Sequence, residues 1–343
     1  MPVELKKAGL HLTGTPLWLD ARRKSELSFV SHAHSDHIAR HERVISTEAT
    51  LALLQARLGE VKAALPVPYR RPFELGPLVL ELFPAGHVLG SAQLRITRPD
   101  GRRIVYSGDL NLQAGLTAEP LEVAECDTLV LESTFGHPRY RLPPREETLA
   151  AVEKWVRRQF ELGRTPILYA YPLGKSQDAI AWLERAGIPV VAHPSTHAIS
   201  ALYRAHGVNV SPRKFDGAIR FGEVGMFPPF GRSQALKQLP KRSTAVLTGW
   251  AIDPNMAGRY GADVAFPLSD HADFDGLMKY AELTGADEVI THHGFADDLA
   301  AALREKGIVA RAVKRALQLN FEFPGVPAVE VVGASAKKLA RAG

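Results

Sequence analysis

Between Ser31 and His41 the chain reads Ser-His-Ala-His-Ser-Asp-His-Ile-Ala-Arg-His, so His32, His34, Asp36 and His37 fall within six residues. Imidazole nitrogen and carboxylate oxygen are donors that divalent transition metals accept. The preceding segment Leu27 to Val30 reads as a short buried strand, so the donors begin where a strand gives way to a loop. Side chains two apart in a strand share a face; His32 and His34 can therefore point the same way, while Asp36 and His37 lie past the bend. Two adjacent metal positions are expected, with His32 and His34 serving the first and Asp36 and His37 the second. The alternative is a polar loop with exposed histidines, which suits a lone histidine better than this run.

His-x-His-x-Asp-His after a strand resembles the signature of the metallo-β-lactamase fold, whose dinuclear sites hydrolyse lactams, thioesters and phosphodiesters. Later residues resemble one branch of it. Glu132-Ser-Thr-Phe-Gly136 is similar to the first accessory motif of the β-CASP nucleases, the group that contains the pre-mRNA 3′-end endonuclease, ribonuclease J and Artemis. Leu268-Ser-Asp-His-Ala-Asp273 resembles the second accessory motif, and His293 before Gly294 the third. His292 is a neighbour expected to face the other way.

The resemblance implies an α/β (α+β) fold, a metallo-β-lactamase αββα sandwich carrying an inserted β-CASP domain of parallel sheet and helices. It implies that His32, His34, His87 and Asp109 hold one divalent ion, and that Asp36, His37, Asp109 and His293 hold the other. His87 stands in Gly-His-x-x-Gly-Ser and Asp109 in Ser-Gly-Asp-Leu. Bridging two cations calls for a carboxylate such as Asp109, since a neutral imidazole offers one lone pair. Such a pair lowers the pKa of a shared water towards ~7 and absorbs charge on phosphoryl oxygens. His271 is the candidate proton donor to the leaving sugar oxygen, oriented and kept charged by Glu132. Asp36 joins these two among the implied catalytic residues. Asp20 is the implied outer support for a ligating imidazole, with a turn or surface aspartate as the alternative.

Elements must carry these residues to one place. Strands are expected over Val3–Leu12, Leu17–Asp20 and Leu27–Val30, then a helix over Thr47–Leu58 stopped by Gly59. The segment Leu78–Phe83 is a strand ending just before His87; Ala92–Thr97 and Arg103–Ser107 form a hairpin about Pro99-Asp-Gly101, ending at Asp109. From Arg145 the pattern becomes strand and helix in alternation, which implies a small parallel sheet. The domain reading is therefore 1–136 with 268–325 as the discontinuous metal-binding domain, 137–267 as the insert and 326–343 as a basic tail. In the insert, Lys175 and Ser176 open a helix after a strand. Tyr169 excludes a P-loop; a helix start that binds phosphate and a simple helix cap both remain open.

At 343 residues, two domains are expected; 45% hydrophobic and 23% charged content is ordinary for a soluble globular protein. A net charge of +5 and pI near 9.3 are compatible with a polyanionic partner. Arg139, Arg141, Arg145, Lys175, Arg213 and Lys214 are candidates to line a cleft between the domains, against scattered surface charge. The single Cys126 excludes an internal disulfide, and neither a signal peptide nor a membrane span is evident, so a cytoplasmic location without membrane association is expected.

The function expected is a dinuclear-metal nuclease. Zinc suits the ligands, and manganese or iron accept the same set. Glu132 and His293 resemble the RNA-processing members. The compact chain resembles bacterial exonucleases associated with DNA ligases, which tips the expectation narrowly to a DNA exonuclease of repair, with a ligase or other repair proteins as partners. A small-molecule thioesterase or lactamase would leave Glu132, His271 and the insert unexplained.

Overall fold

The computed structural model describes residues 2–229, 236, 239 and 241–313. The sequence also reads as a strand around Leu317–Phe323; that segment and the tail 326–343 lie outside the described residues.

Six short strands form the first sheet: β1 (Val3–Lys6), β2 (Gly9–Leu12), β3 (Leu17–Leu19), β4 (Leu27–Phe29), β5 (Arg43–Ser46) and β6 (Ala64–Pro66), hydrogen-bonded in that order. The single strand expected over Val3–Leu12 is in fact a hairpin, with Val3 opposite Leu12 and Gly9 at φ +136° completing its turn. Folding the segment back buries Val3, Leu10 and Leu12 together, which one straight strand of ten residues could not do. The helix α1 (Glu48–Leu58) starts where the Thr47 side chain accepts from the Thr50 amide and stops at Gly59.

The second sheet begins with β7 (Phe73–Leu75), β8 (Leu78–Pro84), β9 (Ala92–Thr97), β10 (Arg103–Tyr106) and β11 (Thr128–Glu132). The chain then leaves it to build a third sheet of six parallel strands: β12 (Thr165–Tyr169), β13 (Val190–Ala192), β14 (Arg213–Lys214), β15 (Val224–Phe227), β16 (Arg242–Leu247) and β17 (Val264–Phe266), in the order β14-β13-β15-β12-β16-β17. Helices α2 (Arg145–Glu161), α3 (Lys175–Arg185), α4 (Pro194–Ala205) and the short α5 (Met256–Tyr260) connect it. On return, α6 (Phe274–Leu283), β18 (Glu288–His292), α7 (Ala296–Glu305) and β19 (Ala310–Ala312) complete the second sheet, with β18 parallel to β11.

Three apolar layers hold this together. Leu17, Phe29, Leu80, Leu94, Ile104 and Val130 fill the space between the first two sheets. Leu277, Leu299 and Leu303 from α6 and α7 cover the outside of the second sheet, and Leu54 of α1 packs on Val44 outside the first. The result is an αββα sandwich. A further core, with Leu168, Ile180 and Met226 at its centre, also takes in Leu53 of α1 and Leu89, so the third sheet and its helices rest on the sandwich through apolar contact. Each such side chain contributes roughly 1.5–3 kcal/mol when fully buried, which is enough to fix the two parts against each other. Among the described residues no helix is long and apolar enough to cross a membrane.

One glycine sets the height of a site residue. Gly108, at φ +55°, turns the chain out of β10 into Asp109, and a Cβ there would fall 2.7 Å from Ser31 Cβ and 3.2 Å from the Ala92 carbonyl. Left-handed backbone and steric overlap together should cost Gly108→Ala about 2–4 kcal/mol. Urea unfolding measures this; an unchanged midpoint would remove Gly108 from the account.

Candidate metal centre

Strand ends deliver the donors to one edge of the sandwich. His32 and His34 follow β4, His87 follows β8, Asp109 follows β10, and Glu132 closes β11. His34 Nδ1 lies 3.1 Å from His32 Nε2 and 3.0 Å from His87 Nε2, while Asp109 Oδ2 lies 3.4 Å from His32 Nε2 and 3.8 Å from His87 Nε2. All four donor atoms fall within 4.8 Å of one another. Donors around one tetrahedral zinc stand ~3.3 Å apart, so the set is already gathered to the size of a coordination shell.

Each imidazole has its other nitrogen committed. His32 Nδ1 donates to Ser31 Oγ at 2.9 Å, His87 Nδ1 to the Asp270 carbonyl at 2.9 Å, and His37 Nδ1 to Asp20 Oδ2 at 2.8 Å. His34 is reversed: its Nε2 donates to the Leu173 carbonyl at 3.2 Å. The free lone pairs are thus Nε2 of His32, His37 and His87 and Nδ1 of His34, the atoms that face Asp109 or one another. Burial, reinforced by neighbouring imidazoles, holds His32 and His87 well below the ordinary histidine range; burial and Lys175 bring His34 down to about 4. Neutral imidazole is the form that binds metal.

Asp20 is the hub of this outer layer. Its carboxylate accepts from the Ser31 amide (2.7 Å), Ser31 Oγ (2.5 Å), His37 Nδ1 (2.8 Å) and the Tyr106 hydroxyl (2.8 Å). Four donors on one buried carboxylate explain why a non-glycine residue sits at φ +47°, a conformation that costs ~1–3 kcal/mol. Ser31 and Tyr106 are parts of the site that spacing in the sequence does not reveal, because nothing local marks them.

The second position is more open. His37 Nε2 is buried without a hydrogen-bond partner, 3.2 Å from Asp109 Oδ2 and 3.7 Å from Asp36 Oδ2. An orphaned buried imidazole nitrogen beside two carboxylates fits a cation. Burial opposes a charge on His37, yet Asp109 and Asp20 outweigh it and raise this group well above the ordinary value, so a cation here would take the place of the Nε2 proton; Asp109, despite burial, is held well below the carboxylate range by His37 and His271. Asp36 is on the cleft wall with its side chain 54% exposed. His293, at φ +65° just beyond β18, is exposed, with Nδ1 3.3 Å from Arg22 Nη2; the structure does not gather it with the four-donor nest. His292 stacks on Tyr106 at 5.5 Å, and its Nε2 is buried without a partner.

Across the nest stands His271, whose Nδ1 donates to Glu132 Oε1 at 3.0 Å and lies 3.8 Å from Asp109 Oδ2. Burial would lower this imidazole, but Glu132 and then Asp109 raise it to about 9. Glu132 is fully buried and also accepts from the Leu110 and Thr134 amides, so its carboxylate cannot swing away.

The insert supplies less charge to the cleft than the sequence suggests. Lys175 is buried, and its Nζ and amide both reach Asp270 Oδ2, at 2.7 and 3.2 Å; Ser176 Oγ donates to the Tyr171 carbonyl at 2.6 Å. This helix start is a domain junction, and a phosphate would have to displace Asp270. Arg145 pairs with Asp178 in the interior, Arg213 with Glu223 and Arg141 with Asp275, which removes them from the cleft lining. Arg57 lines it instead, donating to the Ala33 carbonyl at 2.9 Å.

No family model matches the chain. It is 38% identical over 331 residues to a probable DNA ligase of Opitutus terrae, an alignment covering 95% of this chain and 32% of that protein. It is 23% identical over 316 residues to the DNA cross-link repair protein SNM1 of Arabidopsis thaliana, 81% of this chain and 64% of that one. With RNase aCSPSF2 of Saccharolobus solfataricus it shares 26% identity over 191 residues, 47% of this chain and 38% of the relative. The relatives it matches include metallo-β-lactamase/β-CASP nucleases, and the chain is similar to them in sequence. It spans about a third of the ligase relative's length. In the terms of that family, the αββα sandwich is the metallo-β-lactamase fold and the third sheet with its helices is the inserted part.

Replacing Asp20 by Asn keeps the shape but removes the charge that orients His37 and Ser31. Outer-layer losses of this kind typically weaken metal binding ~10–100-fold. Competition with a chromogenic chelator should show that drop in Asp20→Asn, and an unaltered affinity would contradict the role given to Asp20.

Proposed function

We propose that the chain is a dinuclear-metal nucleic-acid phosphodiesterase that trims DNA ends. The observation that carries this is the His271–Glu132 pair facing the His32, His34, His87, Asp109 nest across the cleft. A lactamase or thioesterase has no need of a charged imidazole held opposite its ligands; a phosphodiesterase must protonate a leaving sugar oxygen. On this reading 1–136 with 268–325 is the catalytic domain and 137–267 the insert, and Lys175 and Ser176 brace the junction rather than bind phosphate.

His32, His34, His87 and Asp109 would hold one ion, and Asp36, His37, Asp109 and His293 the other, with zinc favoured by the donors and manganese or iron also accepted. Two bound cations would supply an activated water and neutralise phosphoryl charge. The chain's own residues do the rest. Asp109 and His37 fix where the phosphate must sit, and His271 holds a proton on the leaving side. Glu132 keeps that proton in place against the field of any nearby cation.

DNA is favoured because the probable DNA ligase of Opitutus terrae aligns with 95% of the chain, which suggests work on DNA ends beside a ligase in the cytoplasm. RNA is the second reading, supported by Glu132 and by the likeness to RNase aCSPSF2. Labelled single-stranded DNA and RNA, each end blocked in turn, incubated with manganese- or zinc-loaded protein, decide sugar, polarity and mode. DNA shortening from an end is expected, with none in Asp109→Ala. Preferential RNA cleavage would reverse the assignment.

His271→Ala should retain full metal content while kcat falls ~10²–10⁴-fold. Metal loss in that variant would instead make His271 a ligand. Glu132→Gln removes the largest influence raising His271, so its pKa falls. The proton donor is then lost at lower pH, and the alkaline limb of the pH–rate profile should move towards acid; a limb that stays put would detach His271 from it.

A further inference from the structure

The cleft between sandwich and insert is a cavity of about 350 Å³, with Asp109 and His271 on one wall and Tyr171 and Trp250 on the other. That volume lies at the small end for a ligand site and suits one nucleotide rather than a base pair. Tyr171 is left 47% exposed there. Trp250 is half-buried, its ring 4.6 Å from Phe135 and edge-on to Tyr140 at 5.3 Å; Phe135 in turn stands edge-on to His271 at 6.1 Å. Thr248 Oγ1 accepts from the Trp250 amide at 3.4 Å, capping the turn that carries this ring. Through Phe135 the Trp250 ring is keyed to the wall that holds the proton donor, and Tyr171 lines the same cavity.

We propose that Tyr171 and Trp250 form a stacking subsite for an unpaired nucleobase next to the scissile phosphate. This rests on the nuclease reading above and adds what the enzyme requires of its substrate. Among the described residues lining the cleft there is no asparagine or glutamine, the side chains that read adenine edges. Recognition is by the face of the base, which every base possesses, so cutting is tolerant of sequence. In a duplex a base is paired to the opposite strand as well as stacked, so the terminal base must be single-stranded or frayed before it can enter a cleft of this size.

The test is a single-stranded oligonucleotide carrying one abasic residue, moved step by step past the scissile position, and cut by metal-loaded wild type, Trp250→Ala, Trp250→Phe and Tyr171→Ala. Wild-type kcat/KM should fall about tenfold or more when the abasic residue adjoins the scissile phosphate. Trp250→Ala and Tyr171→Ala should show that loss on intact strands and little further loss on abasic ones, while Trp250→Phe retains most activity. Blunt duplex should be cut at least tenfold more slowly than the same duplex with an overhang. Fluorescence anisotropy of the oligonucleotide with chelator-treated protein gives binding without cleavage, and should weaken in the two alanine variants. Wild type indifferent to the abasic residue, or alanine variants as active and as abasic-sensitive as wild type, overturns the subsite alone. A metal-loaded wild type that cuts no strand overturns the nuclease reading and the subsite with it.

Discussion

A neutral imidazole has one lone pair, and the nitrogen that carries it is chosen by what the other nitrogen donates to. Every imidazole in the metal centre obeys this constraint through a partner from elsewhere in the chain. Ser31 and Asp20 set His32 and His37, the Asp270 carbonyl sets His87, and the Leu173 carbonyl sets His34 in the opposite sense. Without those partners the same histidines, crowded in a low-dielectric pocket, would be free to turn their protons towards each other. The strained backbone at Asp20 belongs to the same account, since that conformation persists only where several donors enforce it.

The two parts of the fold share the task. The sandwich provides rigid strand ends, and its dry interior holds β4, β8, β10 and β11 at fixed heights, so their last residues meet at one edge. The insert closes that edge from above. Leu173 and Lys175 both lie where β12 hands over to α3; one accepts from His34, and the other anchors Asp270, whose carbonyl accepts from His87. Two of the four gathered donor residues are therefore oriented through the insert, and the cleft and the donor nest cannot be described separately. The Lys175–Asp270 pair also shows why a cation at a helix start is an unreliable sign of a phosphate site. A buried ammonium must have an anionic partner, and here the protein provides its own.

Much of the architecture was legible in the sequence. Glycine and threonine caps bound α1, and the periodicity of Leu149, Val152 and Val156 marks the buried side of α2. The hairpin at the N-terminus was hidden, because Val3–Leu12 alternates acceptably as one strand and only the burial of both halves separates them. β15 and β16 were hidden for another reason. Central strands of a parallel sheet are buried on both sides and lose the alternation that would announce them. The basic cleft lining was misjudged because Arg141 and Arg145 each find a carboxylate that is remote in sequence, a pairing that leaves no local trace, while Arg213 is taken by Asp216 and Glu223 close by in the chain.

By itself the sequence determined the donor types and their placement at strand ends, since both are local: a side chain's chemistry is intrinsic, and the period of two fixes which neighbours share a face. Tertiary structure alone decided which nitrogen each histidine presents, how far His34 stands from His87, and why His271 is held charged while His32 stays neutral. Those properties depend on desolvation and on partners brought from far along the chain, as with His87 and Asp270, which are 183 residues apart. Such partners act only once the intervening chain is folded.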